Sequence, residues 1–409
     1  MADRTICEAL GRARRRRGLT QEQLAEASGV SLGVIRKLEC GDRLSARLAT
    51  LHKLAAALGV PTTALLDTTP AATAGTPDVE PDGLLRLRQI LNPVPGAAPD
   101  STDETGEAPD ATALRESVAQ AVCLADATDF NTSARTLPTL LADAQSTLRH
   151  METDEERASA LRSLSTAYRL TGRFLIQLHY RDLAHAALTQ AVRLAQDSCD
   201  IVLEGSVGIT TTWLLIRERR LDEAEHLAVA LSDAIEPRFR TATPWQLGTY
   251  GWLLLQAASA ATRNNRPDVA TELFRTARAA AVRIGPGSGR LAYEHRDFGT
   301  PLVSMKLAEQ ASVQGDARRV LKIAKSVPAR SAATVEDYSR HRLDVANAYL
   351  EMKETGEALE TLIEVRNGAP DWFRVQPFAK DVTSRLVEKR KRRMPTELVS
   401  IADDLGIAV

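Results

Sequence analysis

The hydrophobic positions of the first seventy residues recur every three or four places. Ile6, Leu10 and Ala13 lie on one helical stripe. Leu24 and Ala27 mark the inward face of a second helix, Ile35 and Leu38 that of a third, and Leu48, Leu51, Leu54, Ala55 and Leu58 that of a fourth. The punctuation between these stripes agrees with them. Gly18 stops the first helix, and Thr20 with Gln23 has the spacing of a capping box at the start of the second. Gly29 makes a tight turn, Val30 plugs the corner, and Ser31 stands where it can cap the third helix. Gly59 closes the fourth, and Pro61 can open a short fifth helix through Leu66. Two helices joined by a short turn containing glycine form a helix-turn-helix pattern.

From Ala111 onward, helix follows helix, broken by Gly, Asp or Pro. A small residue is followed four places on by an apolar one and three places later by another: Ala184, Leu188, Ala191, then Ala224, Ala228, Leu231, then Ala270, Phe274, Ala277. Val320, Ala324, Val327 and Ala358, Leu362, Val365 repeat the theme, with turn signals such as RERRLDE and RNNRPDV before several copies. Between head and body, residues 68–110 are rich in proline and acid and bury little. The segment GLLRLRQIL inside them can form a short amphipathic helix that docks on a neighbour. The expected architecture is therefore all-α: a five-helix head over 1–67, a flexible linker over 68–110, and a helical-repeat body over 111–409.

Composition sharpens this picture in two places. The chain has a net charge of −1, so it is no polycation as a whole. Residues 1–67, however, hold eleven Arg and Lys against seven Asp and Glu, so the head is basic and the rest is slightly acidic. That is the distribution expected if the head alone meets phosphate. The four cysteines have no CxxC spacing and read as reduced core residues of a cytosolic protein. The longest apolar block, Trp252 to Ala261, contains Gln256 and Ser259 and is too short to span a bilayer. No secretory leader is read ahead of the arginines.

The stretch LTQEQLAEASGVSLGVIRKLECGDRLSARLATLHKLAAALGV resembles the phage-repressor-like Xre/Cro helix-turn-helix family, through its TQ-E-LA, GVS, I--LE-G and LA-ALGV segments. The resemblance implies that the second helix lies across the phosphate backbone of double-stranded DNA and the helix from Ser31 enters the major groove. By position, Thr20 and Gln21 would meet phosphate at a helix N-terminus. Ser31, Leu32, Gly33 and Lys37 would reach base edges, and Arg36 phosphate or the groove edge. Arg43 and Arg47 would reach phosphates or the minor groove. Arg14 and Glu39 match a structural ion pair between helices one and three. The tip departs from the family: Leu32, Gly33 and Val34 stand where relatives carry Gln, Arg, Asn or Ser. Leucine can pack on a thymine methyl but cannot make bidentate base contacts. Readout then rests on that methyl contact, on Arg36 and Lys37, and on groove shape.

The body resembles tetratricopeptide repeats, with Ala346, Tyr349, Ala358 and Leu362 in the clearest copy. That resemblance implies an α-solenoid whose first helices line a concave surface. Trp213, Tyr250, Trp252, Arg296, Tyr338 and Arg342 are the large residues expected to line it and to meet an effector. The whole layout is similar to peptide-pheromone-sensing regulators and to actinobacterial regulators of the same plan. It implies a cytoplasmic transcriptional regulator, a homodimer, whose body senses a peptide or small molecule. A protein-interaction scaffold with a head that does not bind DNA is the alternative. EHRDFG at 294–299 and GPGSGR at 285–290 only superficially match kinase and phosphate-loop motifs. The seven histidines have no metal-ligand spacing, and no nucleophile–base pair stands out. Neither enzyme activity, nor a metal, nor any other cofactor is expected.

Overall fold

The computed structural model describes residues 6–41, 46, 48–65, 83–93, 111–285, 291, 293, 297–328, 334–390 and 394–409. Among them every regular element is helical. The head contains α1 (Ile6–Arg16), α2 (Gln21–Ser28), α3 (Leu32–Glu39) and α4 (Leu48–Leu58), then a 3-10 turn over Thr62–Leu65 where a fifth helix was expected. Its core is the predicted set: Ile6, Leu10, Leu24, Val30, Ile35, Leu38, Leu51, Leu54 and Leu58 are buried together. Ala27 departs from expectation and is exposed. On this eight-residue helix the core-facing side is centred on Leu24, with Ala25 packed beside it. The Thr20–Gln23 capping box forms in full, and Gly29 takes the left-handed conformation at φ 66°.

The segment α5 (Leu84–Leu91) packs onto the body, burying Leu84 and Leu87. Gly83 before it lies at φ 95°, and a Cβ there would fall 2.1 Å from the Ala134 carbonyl oxygen. Only glycine allows this approach. α6 (Ala111–Asp126) and α7 (Phe130–His150) follow and pack on each other.

Five helical hairpins come next: α8 (Asp154–Gln177) with α9 (Arg181–Asp197), α10 (Ile201–Arg217) with α11 (Leu221–Ile235), α12 (Pro244–Arg263) with α13 (Pro267–Ile284), α14 (Thr300–Gln314) with α15 (Ala317–Ala324), and α16 (Val335–Glu351) with α17 (Thr355–Gly368). Each first helix packs on the first helix of the next pair. The five turns close identically. Tyr180, Arg220, Arg266, Asp316 and Glu354 each donate a backbone N–H to the carbonyl five residues earlier, at 2.9 Å. This is the six-to-one bond of a Schellman closure. It places His179, Arg219, Asn265, Gly315 and Lys353 at positive φ. Side-chain-bearing residues adopt that region at a cost of roughly 1–2 kcal/mol, so the closure is maintained by the packing around it. The second helices bury the repeated stripe, including Ala184, Leu188, Ala228, Phe274, Ala277, Leu362 and Val365. Leu231, Ala324 and Val327 are only half-buried, and Val327 lies beyond α15, which ends at Ala324. α18 (Pro370–Val375), α19 (Pro377–Lys389) and α20 (Thr396–Asp404) finish the chain around Trp372 and Phe373.

The cysteines correct the sequence reading. All four are free, but Cys40, Cys123 and Cys199 are exposed and Cys7 is half-buried. No described helix is long and apolar enough to cross a membrane.

Candidate nucleic-acid interface and the cavity of the body

Helix α3 has two faces. Ile35 and Leu38 point into the head core, while Ser31, Gly33, Arg36 and Lys37 are exposed. Gly33, Arg36 and Lys37 stand at i, i+3 and i+4, so they share one side of the helix. A Cβ built at Gly33 meets nothing within 4 Å, which leaves open space in front of the tip. Ser31 occupies the N-cap position, but its side chain makes no capping hydrogen bond. Its hydroxyl therefore stays available to a ligand. Leu32 and Val34 are half-buried.

The cations differ in their freedom. Arg36 donates to Glu22 Oε1 at 3.0 Å in a pair more than half exposed on both sides, the kind a phosphate can displace. Lys37 has no hydrogen-bond or ion-pair partner among the described residues. Arg15 and Arg16 are also exposed. Arg17 instead ties two helices together by donating Nε to the Leu58 carbonyl at 2.8 Å.

Arg14 and Glu39 form a two-pronged pair, Nε to Oε1 at 2.7 Å and the second guanidinium nitrogen to Oε2 at 2.9 Å. Burial pushes the Glu39 carboxyl up, but hydrogen bonds from Arg14 and Gln21 outweigh it and hold the group below the usual carboxylate range. Gln21 is thus engaged: its Nε2 donates to Glu39 Oε2 at 2.7 Å. The Thr20 hydroxyl is engaged too, accepting from the Gln23 N–H at 3.1 Å. A phosphate at the start of α2 would meet backbone N–H, the helix dipole and the donor capacity these side chains keep, the Thr20 O–H and the second Gln21 Nε2–H. Arg43 and Arg47 lie outside the described residues.

The head rests on the body through its far helices, which leaves α3 uncovered. The Thr62 N–H donates to the Asn264 carbonyl at 3.3 Å, and Asn265 Nδ2 donates to the Val60 carbonyl at 3.3 Å. His52, 6% exposed, sets Nδ1 3.4 Å from the Arg263 carbonyl oxygen. Burial holds its imidazole pKa below the ordinary value. All three body partners, Arg263, Asn264 and Asn265, stand at the end of α12.

The same α12 end forms part of a cavity of about 310 Å³ lined by the first helices of the hairpins. α8 supplies Arg169 and Arg173, α10 supplies Trp213 and Arg217, and α12 supplies Trp252 and Arg263. α14 supplies Lys306 and Glu309, and α16 supplies Glu336 and Arg340. Of the six residues expected to line a concave surface, Trp213 and Trp252 do so. Tyr250 is buried against Phe239 instead, their rings edge to face. Tyr338 and Arg342 turn to Glu364 on α17, with Arg342 donating at 2.6 Å. Both therefore serve a hairpin, not the cavity. Arg296 lies outside the described residues. Sequence reading missed the cavity cations and Trp372. Among the described residues, no group of three His, Cys, Asp or Glu side chains is placed to hold a metal.

Comparison with known proteins agrees with the head. Residues 10–65 match the helix-turn-helix family model. That match points to a DNA-binding regulator carrying an Xre/Cro-like head. No curated protein matches the chain.

Proposed function

We propose that this protein is a sequence-specific, DNA-binding transcriptional regulator, acting as a cytoplasmic homodimer, whose tetratricopeptide-like body senses a peptide or small-molecule effector. The observation that carries the reading is the position of α12. Its guanidinium at Arg263 enters the cavity wall by pairing with Glu309, while its backbone carbonyl meets His52 of the head. A ligand that moves this residue acts on the head directly, across one amino acid.

Two heads on one dimer would read half-sites about one helical turn apart and gain affinity through their linkage. Activity as an enzyme has no part in this reading. The test is selection of duplexes from a random pool by the full chain, followed by a salt titration on the winner. Steep loss of affinity with salt, together with a recovered sequence motif, supports the proposal. Recovery of no motif, with no affinity for any duplex in dilute buffer, leaves the scaffold reading in its place.

A further inference from the structure

The cavity has a strong charge imbalance. Seven Arg and Lys line it against three carboxylates. Most of these cations are balanced locally. Arg173 holds Asp126 at 2.7 Å and Glu336 at 2.8 Å. Arg263 and Lys306 share Glu309, and Arg340 reaches Asp344 at 3.0 Å. Two are left over. Arg217 has no ion-pair partner among the described residues, and its one hydrogen bond runs to the neutral Gln376 Oε1 at 3.3 Å. Glu336, the carboxylate it senses most, is already held by Arg173 and by Gln177 at 2.6 Å. Arg219, at the left-handed turn after α10, has no partner among the described residues either.

Burial costs these guanidinium groups hydration. It pushes Arg217 down to about 10, so the group still carries its proton at neutral pH. A half-buried cation without a counter-ion is a site that an anion stabilises. A second observation comes from Trp372, which also lines the cavity. Trp372 is 1% exposed, and its indole N–H has no acceptor among the described residues. Buried indole N–H groups ordinarily find one, and an oxygen-rich ligand offers it. The lining also carries apolar and aromatic surface at Ile209, Trp213 and Trp252, with the Arg217 guanidinium 5.0 Å over the Trp213 ring. The volume stands at the low end of small-molecule pockets.

We propose that this cavity binds a small organic anion, its phosphate or carboxylate on Arg217 and Arg219 and its planar apolar part along Trp213 and Trp252. The assignment rests on the reading of the body as the sensing part of the protein, and it narrows the effector to one chemical class.

Tryptophan fluorescence tests it on the full chain, because three of the four tryptophans line the cavity. Trp245, 57% exposed elsewhere, is first replaced by Phe to remove its background. The probes are phenyl phosphate, phenylacetate, inorganic phosphate and the neutral benzyl alcohol. At least one aromatic anion should give a saturable change, tighter than benzyl alcohol, and the tighter of the two aromatic anions identifies phosphate or carboxylate. Arg217→Gln should weaken that binding by about tenfold or more. Arg219→Gln, on a turn and away from the helix packing, should act in the same direction and guards against misfolding of the first variant.

Benzyl alcohol binding as tightly as the anions, no saturable response to any anion, or unchanged affinity in both variants would overturn the assignment. The effect of a bound anion on DNA affinity is read separately. An anion that binds without changing it upholds this site and counts against the sensing role. DNA binding by a chain that ignores every anion upholds the regulator and removes this site.

Discussion

Replacing Lys37 by alanine isolates the part of DNA binding that belongs to α3. Lys37 is exposed and has no hydrogen-bond or ion-pair partner among the described residues, so the change breaks no such bond among them and should alter folding stability by less than about 0.5 kcal/mol. Its effect on DNA is then the loss of one cation per head. Even at a base edge a cation in the groove neutralises nearby phosphate charge, and each phosphate so neutralised contributes a slope of about −0.9 in log affinity against log salt. The advantage of the wild-type head over Lys37→Ala should therefore shrink about eightfold for each tenfold rise in salt, or about 1.2 kcal/mol. Arg36→Ala should cost less, because Arg36 must first leave Glu22. The assay is fluorescence anisotropy with a duplex found by selection, over a series of monovalent salt concentrations, with circular dichroism melting as the control on folding. Equal affinities and equal salt slopes for wild type and Lys37→Ala would refute the seating of α3 on DNA.

Glu39→Ala leaves Arg14 and Gln21 without their acceptor, and should destabilise the head by about 1–3 kcal/mol; faster hydrogen exchange at α1 and α3, with the body unchanged, is the readout. Because the Glu39 carboxyl is held low in the folded head, its contribution is present above its unfolded pKa near 4.5 and fades as pH falls through the folded value. His52 also has a lowered pKa, so protonation opposes the docked head: the contact with Arg263 should loosen progressively as pH falls below about 6.5, the reference value, with proteolysis between head and body accelerating at pH 5.5 compared with 7.5. Gly251→Ala would place a Cβ 2.2 Å from Phe298 Cζ, and overpacking of this kind should lower stability by about 1–3 kcal/mol, measured by thermal unfolding.

The head was readable because its signals are local. The Thr20–Gln23 spacing, the left-handed Gly29 and the Leu24, Ile35, Leu38 stripe each lie within a few residues of the element they define. The stripe of second helices was legible for the same reason. The cavity was not. Residues from Ser163 to Gln177 of α8 are buried throughout, so no amphipathic pattern picks out Arg169 and Arg173 as wall residues. Their neighbours come from far along the chain, as Arg173 and Glu336 are 163 positions apart. The reverse error has the same origin. Tyr338 and Arg342 look like free recognition groups in sequence, and only folding brings Glu364 against them.

The backbone carbonyl of Arg263 sits against the head while its side chain braces the cavity wall. If a ligand in that cavity changes DNA affinity by some factor, thermodynamic reciprocity requires DNA to change ligand affinity by the same factor. Molecules already seated on an operator would then have a different response threshold from molecules free in solution. A cell with many decoy sites would shift its own dose–response curve without altering the protein at all.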